Sequence, residues 1–399
     1  MILESTLKKL LAEAPDRSGR SSWVSRTLVS ELRLQSGLAL VLLGVRRSGK
    51  STLQSLLMQR GVGSVYLNFE DLRLHGMTPE DFPGLLEAVE RTGRVEGGVF
   101  LDEVQEVPEW QRLVRAMLDK GWALCLTGSN ASLLGKELGS KLTGRHMSHE
   151  VFPFAYSEYL AFRRQMPSLD SLKQHLWEGG FPGFLALGQP LLLQELLRDV
   201  VQRDIALRHG LREIRHLMNL VLHLYSTQGQ AVSFQRLAKV LAVPSVGQVS
   251  RYIEFLQDAY LLLAVPKYSA SFKQRVVAPM KYYAIDNGLR CAVSAGASPD
   301  LGRRLENALA LALRRRGRPF HYAGESDVWE CDFVTDAEAI QVCTELTPGN
   351  VERELRGLRE ARALPGPARR LLIITLDQTQ RLTIDASEVE VVPAWRWLD

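Results

Sequence analysis

Gly44-Val-Arg-Arg-Ser-Gly49-Lys50-Ser51-Thr52 satisfies the pattern G-x-x-x-x-G-K-[ST] and stands between an apolar run, 38–43, and a helix-like segment. The glycines let the backbone curl until its N–H groups point at phosphate, and a helix starting near Lys50 adds the positive end of its dipole. Lys50 is expected to reach the outer phosphates and Ser51 to hold Mg²⁺ through its hydroxyl, with Arg47, Ser48 and Thr52 completing the loop. ATP and Mg²⁺ are therefore the expected ligands.

Outward from this loop, residues 37–150 alternate short apolar runs with helix-like segments, the pattern of a parallel sheet covered by helices. The runs are 38–43, 62–69, 98–101 and 123–127. Ligands of such sheets bind at the carboxyl ends of the strands, so the residues that end each run are the candidates for chemistry. Val99-Phe-Leu-Asp102-Glu103 ends in two carboxylates. Asp102 is expected to bind Mg²⁺ through water, and Glu103 to orient or deprotonate an attacking water. Leu126-Thr-Gly128-Ser129-Asn130 ends in small polar groups, of which Ser129 or Asn130 is expected to sense the γ-phosphate. Arg145, after Gly144, is a candidate to complete a neighbouring subunit's site as an arginine finger.

The order of these features resembles a family of prokaryotic AAA+-type ATPases that carry a C-terminal domain of unknown function. The likeness rests on the P-loop, Tyr66-Leu-Asn-Phe-Glu-Asp71, Leu101-Asp-Glu-Val-Gln105, Thr127-Gly-Ser129, Gly144-Arg145 and Phe152-Pro-Phe-Ala-Tyr-Ser-Glu-Tyr159. It continues through Gly179-Gly-Phe-Pro-Gly183 and the C-terminal part. The resemblance implies a five-stranded ATPase core and assembly into a homo-oligomer, such as a hexameric ring.

At 399 residues the chain implies two or three domains. Its net charge of +4 permits nucleic-acid binding without arguing for it. Four scattered cysteines without metal-ligand spacing point to a reduced, cytoplasmic compartment. The charged N-terminal stretch does not read as a signal peptide, and no apolar run approaches the ~20 residues that span a bilayer. No membrane association is expected.

The Gly-Gly pair and the Pro in Glu178-Gly-Gly-Phe-Pro-Gly183 predict a turn and a boundary between the ATPase core and the C-terminal part of the chain. Residues 233–258 have helix-turn-helix spacing around Pro244. In the second helix Val246, Val249, Ile253 and Leu256 form the apolar stripe, which turns Gln248, Arg251 and Tyr252 outward. Two strand-like pieces come next, with Lys273 and Arg275 in the loop between them, and the whole reads as a winged helix. Over 211–290, ten Lys/Arg (Lys281 and Arg290 among them) face four Asp/Glu, a local net of 10 − 4 = +6. DNA phosphates are the expected partner; a protein-interaction or lid-like role is the alternative.

Residues 302–345 suggest a restriction-endonuclease-like fold, with Glu306 on the opening helix, Asp332 on one strand and Gln341 on the next. Gln341 stands where a metal-binding Glu is expected and Cys343 where a lysine is expected, so this site reads as degenerate and nuclease activity as absent. Glu345 is the candidate to compensate, and Arg303, Arg304 and Arg314 to Arg316 remain candidates for phosphate contact.

The expected fold class is α/β. A P-loop AAA+ core with a parallel sheet (1–152) precedes a helical lid (153–210), a winged-helix domain (211–290) and a small α/β nuclease-like domain (291–399). The expected activity is ATP hydrolysis that moves or remodels DNA. A nucleotide-gated switch binding a protein partner, and an ATP-gated metal-dependent nuclease, are the alternatives.

Overall fold

Four of the apolar runs become adjacent strands of one sheet in a computed structural model that describes residues 2–13, 24–129, 144–269, 271, 278–294 and 300–399. They are β1 (Ala39–Leu43), β2 (Val65–Asn68), β3 (Val99–Asp102) and β4 (Leu124–Gly128), buried along almost their whole length. Continuous apolar sequence is what a parallel sheet covered on both faces requires. A fifth strand, β5 (His146–Glu150), completes the order β2-β3-β4-β1-β5, with every pair parallel. β5 has no apolar run because it is an edge strand whose residues are half-buried or exposed.

Around this sheet lie helices α1 (Glu4–Glu13), α2 (Lys50–Met58), α3 (Phe82–Glu90) and α4 (Trp110–Asp119). α4 buries Trp110, Leu113, Val114, Met117 and Leu118, an i, i+3, i+4, i+7, i+8 stripe facing the core. Because β4 is inserted between β1 and β3, three strand ends open side by side. Leu43 is in register with Gly128, and Leu101 with Leu126.

The chain divides into two compact units, 1–152 with 258–260, and 153–257 with 261–399. The second begins with helices α5 (Tyr156–Arg163), α6 (Leu169–Glu178), α7 (Pro182–Leu187) and α8 (Leu191–Asp199), then α9 (Arg215–Ser226). Next come β6 (Ala231–Val232), α10 (Phe234–Val240), α11 (Val246–Asp258), β7 (Leu262–Val265) and β8 (Met280–Ala284). These three strands form an antiparallel sheet with β8 in the middle. Helices α12 (Asn287–Val293) and α13 (Leu301–Arg315) lead to a six-stranded sheet. Its strands are β9 (His321–Glu325), β10 (Trp329–Val334), β11 (Glu338–Val342), β12 (Arg370–Thr375), β13 (Gln380–Ile384) and β14 (Ser387–Pro393). The order is β13-β14-β12-β11-β10-β9. Cys331, Ala339, Leu358, Leu371, Ile373 and Val389 form part of the core beneath this sheet.

The Gly-Gly-Phe-Pro-Gly stretch is not a boundary between units, since both its flanks belong to the second. It is a junction inside that unit. Gly179 has φ +70°, and a Cβ there would lie 2.2 Å from Asp286 Oδ1. Asp286 accepts hydrogen bonds from the Gly180 N–H at 2.6 Å and the Leu289 N–H at 2.8 Å, tying α6 to α12. No helix among the described residues is long and apolar enough to cross a membrane.

Candidate functional site

The loop after β1 is held open at its centre and pinned at its base. Arg47 (φ +64°) and Gly49 (φ +100°) take left-handed conformations, which reverse the chain before α2 begins at Lys50. Alternation of this kind turns successive N–H groups to one side and makes an anion-binding concavity. Gly44 has no room for a side chain, since a Cβ would lie 2.1 Å from the Val151 carbonyl oxygen. Lys50 is buried, and its ammonium donates to the carbonyls of Gly44 at 2.9 Å and Val45 at 3.2 Å. Beneath the loop, the buried Arg26 donates to the Ser48 carbonyl at 2.9 Å and the Phe152 carbonyl at 2.6 Å. Ser51 and Thr52 are half-buried in the first turn of α2.

Asp102 ends β3 and is almost fully buried. Its carboxylate accepts from the Tyr66 hydroxyl on β2 at 2.7 Å and from the Thr127 hydroxyl on β4. The Thr127 oxygen also accepts from the Glu103 N–H at 2.9 Å. One hydroxyl on β4 thus sets both acids at the end of β3. Glu103 has φ +52° and accepts from Gln105 Nε2 at 2.5 Å. Burial pushes its carboxyl up from the usual value, while the Lys50 ammonium pulls it back. Gln54, fully buried on α2, donates to the carbonyls of Leu101 and Cys125 at 3.2 and 3.1 Å, fastening α2 across β3 and β4.

Two buried hydroxyls at this end of the sheet, Ser48 Oγ and Ser129 Oγ, meet no hydrogen-bond partner among the described residues. Together with the concave loop and Asp102, they form the donor set that a polyphosphate with a hard divalent cation requires. Asn130 lies outside the described residues. Arg145 sits just before β5, at the amino ends of the strands. It pairs with Asp119 at 2.6 Å. The P-loop is at the carboxyl ends, so Arg145 and its own P-loop are at opposite ends of the sheet.

In the second unit, α11 buries Val249, Tyr252, Ile253 and Leu256, which corrects the expected stripe. Tyr252 faces the core and its hydroxyl accepts from Gln248 Nε2 at 2.7 Å, while Val246 is 41% exposed. The i, i+3, i+4, i+7 set starting at Val249 outvotes Val246 in the first turn. Arg251 is exposed and Gln248 half-buried; Lys273 and Arg275 lie outside the described residues. Two of the cations counted toward a basic face, Lys281 and Arg290, are buried. Arg304 is buried too, over the Trp177 ring at 3.5 Å, which corrects the expected phosphate contact.

Glu306 on α13 and Asp332 on β10 do converge, but on Lys281 of β8, together with Glu330. Gln341 is spent on backbone. Its Oε1 accepts from the Asp332 N–H at 2.8 Å and its Nε2 donates to the Glu330 carbonyl at 2.9 Å. Glu345, the candidate to replace the missing acid, is exposed. Arg26, Gln54 and Glu330 were not anticipated from sequence, and Lys281 was read only as a cation of the basic winged-helix region; Tyr66 and Thr127 were in quoted motifs without their roles.

An AAA domain matches residues 36–160, and a Domain of unknown function (DUF8612) matches residues 169–300. The chain is 30% identical to the uncharacterized protein MJ1544 of Methanocaldococcus jannaschii, over 92% of this chain and 89% of that one. It is 31% identical to an uncharacterized protein of Haemophilus influenzae, over 74% of this chain and 78% of that one. A chain in a structure of Drosophila ORC bound to DNA aligns with 70% of this chain and 94% of that one, at 14% identity and a TM-score of 0.23, a likeness too slight to carry an argument. The chain belongs to the family of the M. jannaschii and H. influenzae proteins, with an AAA domain as its N-terminal part.

Proposed function

We propose that this chain binds ATP with Mg²⁺ at the Gly44 to Thr52 loop, hydrolyses it, and uses the turnover to act on DNA. The observation that carries the ATPase reading is the meeting of the loop after β1, Thr127 of β4, and Asp102 with the buried Glu103 after β3, at three adjacent strand ends. Loop N–H groups and Lys50 bind the phosphates. Ser51 and Asp102 would hold Mg²⁺, which when bound neutralises charge on the phosphate oxygens. Glu103 orients the attacking water and takes its proton, and Ser129 or Asn130 reports the γ-phosphate. Tyr66 and Thr127 aim Asp102 by donating to its carboxylate.

Arg145 is assigned to the neighbouring subunit of a homo-oligomer, since it lies at the far end of the sheet from its own loop. Mixing Arg145→Ala with Glu103→Gln, each inactive alone, is expected to restore part of the turnover, because mixed assemblies form sites with both groups intact. Absence of any complementation under demonstrated subunit exchange sinks the shared-site assignment.

The DNA reading rests on the helix-turn-helix of α10 and α11 followed by the antiparallel β7–β8 pair, which we take as a winged helix spanning 211–290. On this reading 153–210 is a helical lid and 291–399 a nuclease-like domain. Among the described residues, Arg251, exposed on α11, is one cation placed to contact phosphate. Replacing Arg251, Lys273 and Arg275 with Ala is expected to weaken duplex binding for all sequences and flatten its dependence on salt, by a slope of about 0.9 for each phosphate no longer neutralised. Identical salt titrations for the variant and the parent would move the reading to the second one, a nucleotide-gated switch for a protein partner. What favours that second reading is the burial of Tyr252 and Lys281, two groups a DNA-binding face would have used. ATPase rate with and without duplex, single-stranded and branched DNA separates the two: a motor is stimulated, a switch is indifferent.

A further inference from the structure

Lys281 is 1% exposed, and its ammonium lies 2.8 Å from Glu330 Oε1, 3.4 Å from Glu306 Oε1 and 3.7 Å from Asp332 Oδ1. Three elements supply these acids and the cation: α13 gives Glu306, β10 gives Glu330 and Asp332, and the middle strand β8 gives Lys281. Tyr283, two residues on, donates to Glu306 at 2.7 Å, and the Val342 N–H donates to Asp332 Oδ2 at 2.9 Å. The arrangement borders a cavity of about 520 Å³ lined by Tyr322, Glu330, Asp332, Gln341, Arg353 and Glu354.

Three carboxylates gathered at a partly buried point need a positive charge. In a nuclease-like site that charge is a divalent metal, and the residues here do not fit one. Gln341 has both ends of its amide committed to backbone, and Glu345 is exposed. Among the described residues, no group of three or more His, Cys, Asp or Glu has metal-holding geometry. A metal ion would need the same oxygens at roughly 2.0–2.6 Å, in the space the ammonium fills. Burial pulls the Lys281 pKa down, but Glu306, Asp332 and Glu330 together outweigh it and hold it well above the usual lysine value. The side chain is therefore a permanent cation.

We propose that Lys281 supplies the cation of this cluster in place of a divalent metal, so that the site is closed to metal in the native chain and opens as a divalent-cation site when the ammonium is removed. Every group that forms the cluster belongs to the second unit.

The test is a Mn²⁺ titration of the full, nucleotide-free chain, with free Mn²⁺ followed by electron paramagnetic resonance. Native protein and its Asp332→Asn variant are expected to bind the same number of ions. Lys281→Met, checked for an unchanged circular dichroism spectrum, is expected to gain one site at least tenfold tighter than any in the parent, and Asp332→Asn on top should remove it. A folded Lys281→Met that binds no more Mn²⁺ than the parent overturns the proposal. So does a Mn²⁺ ion on native protein that Asp332→Asn or Glu306→Gln displaces, a comparison that decides even where Lys281→Met fails to fold. Mn²⁺-dependent DNA cleavage lost in Asp332→Asn overturns it as well, because Lys281 would then be acting beside a metal as the lysine absent from position 343.

Discussion

Glu103→Gln is expected to retain nucleotide and to lose about 10²–10⁴-fold in turnover, the range that a positioned general base contributes. The amide keeps the size of the side chain and its place beside Gln105, but it has no basic oxygen to take the proton of water. Burial has already lifted the Glu103 carboxyl toward neutrality, which makes it a stronger base than an exposed glutamate. Asp102 is held by Tyr66 and Thr127, and Thr127 meets Glu103 only through its backbone N–H, so metal and phosphate binding should survive the change. The measurement is the rate of ADP formation at saturating ATP alongside the affinity for a fluorescent nucleotide. Turnover at the parent rate would remove Glu103 from the chemistry.

Gly44→Ala is expected to cost about 1–3 kcal/mol of stability, as overpacking of a close contact does, and to weaken nucleotide affinity at least tenfold. The new methyl would stand 2.1 Å from the Val151 carbonyl oxygen, and backbone on that side cannot retreat cheaply. The Val151 N–H is bonded to the Leu43 carbonyl at 2.6 Å, and Arg26 holds the next carbonyl, of Phe152. The loop must move instead, and its N–H groups leave the positions that phosphate needs. Gly84→Ala is the control, since Gly84 lies in α3 with open space around its Cβ position and a helical backbone. Thermal melts and nucleotide titrations of the two variants should diverge; matching behaviour would show that the close approach at Gly44 does not shape the site.

The nucleotide end of the chain was legible because its signals are local. A strand buried on both faces has to be apolar along its length, so β1 to β4 announced themselves, and their terminal residues came by counting. β5 stayed hidden because an edge strand can be polar, and His-Met-Ser-His-Glu has no period to read. The groups that aim the acids were hidden for another reason. Tyr66 and Thr127 reach Asp102 or the Glu103 N–H across strands, and Gln54 reaches the Leu101 and Cys125 carbonyls from α2. Arg26 reaches the loop from a distant segment, and only the folded chain creates those contacts.

Charge misled where burial was at stake. Lys281 reads as a surface cation in a basic wing, yet Met280–Ala284 is the middle strand of its sheet, with four of its five residues buried. Tyr252 was misplaced by a smaller rotation. Anchoring the helical stripe on Val246 turned it outward, whereas packing selects Val249 as the first buried position. Glu306 and Asp332, read from sequence as part of a nuclease-like site, meet around Lys281, but the third acid and the cation come from positions that no nuclease-like spacing would mark.

Arg26 bears on how the protein can be dissected. The AAA match begins at residue 36, ten positions after the side chain that ties the floor of the P-loop to the segment leaving β5. A fragment cut at the start of the match would leave the Ser48 and Phe152 carbonyls without their guanidinium, so that loop and sheet edge come apart while every motif residue is still present. Any piece of this chain meant to take up nucleotide by itself has to begin upstream of Arg26.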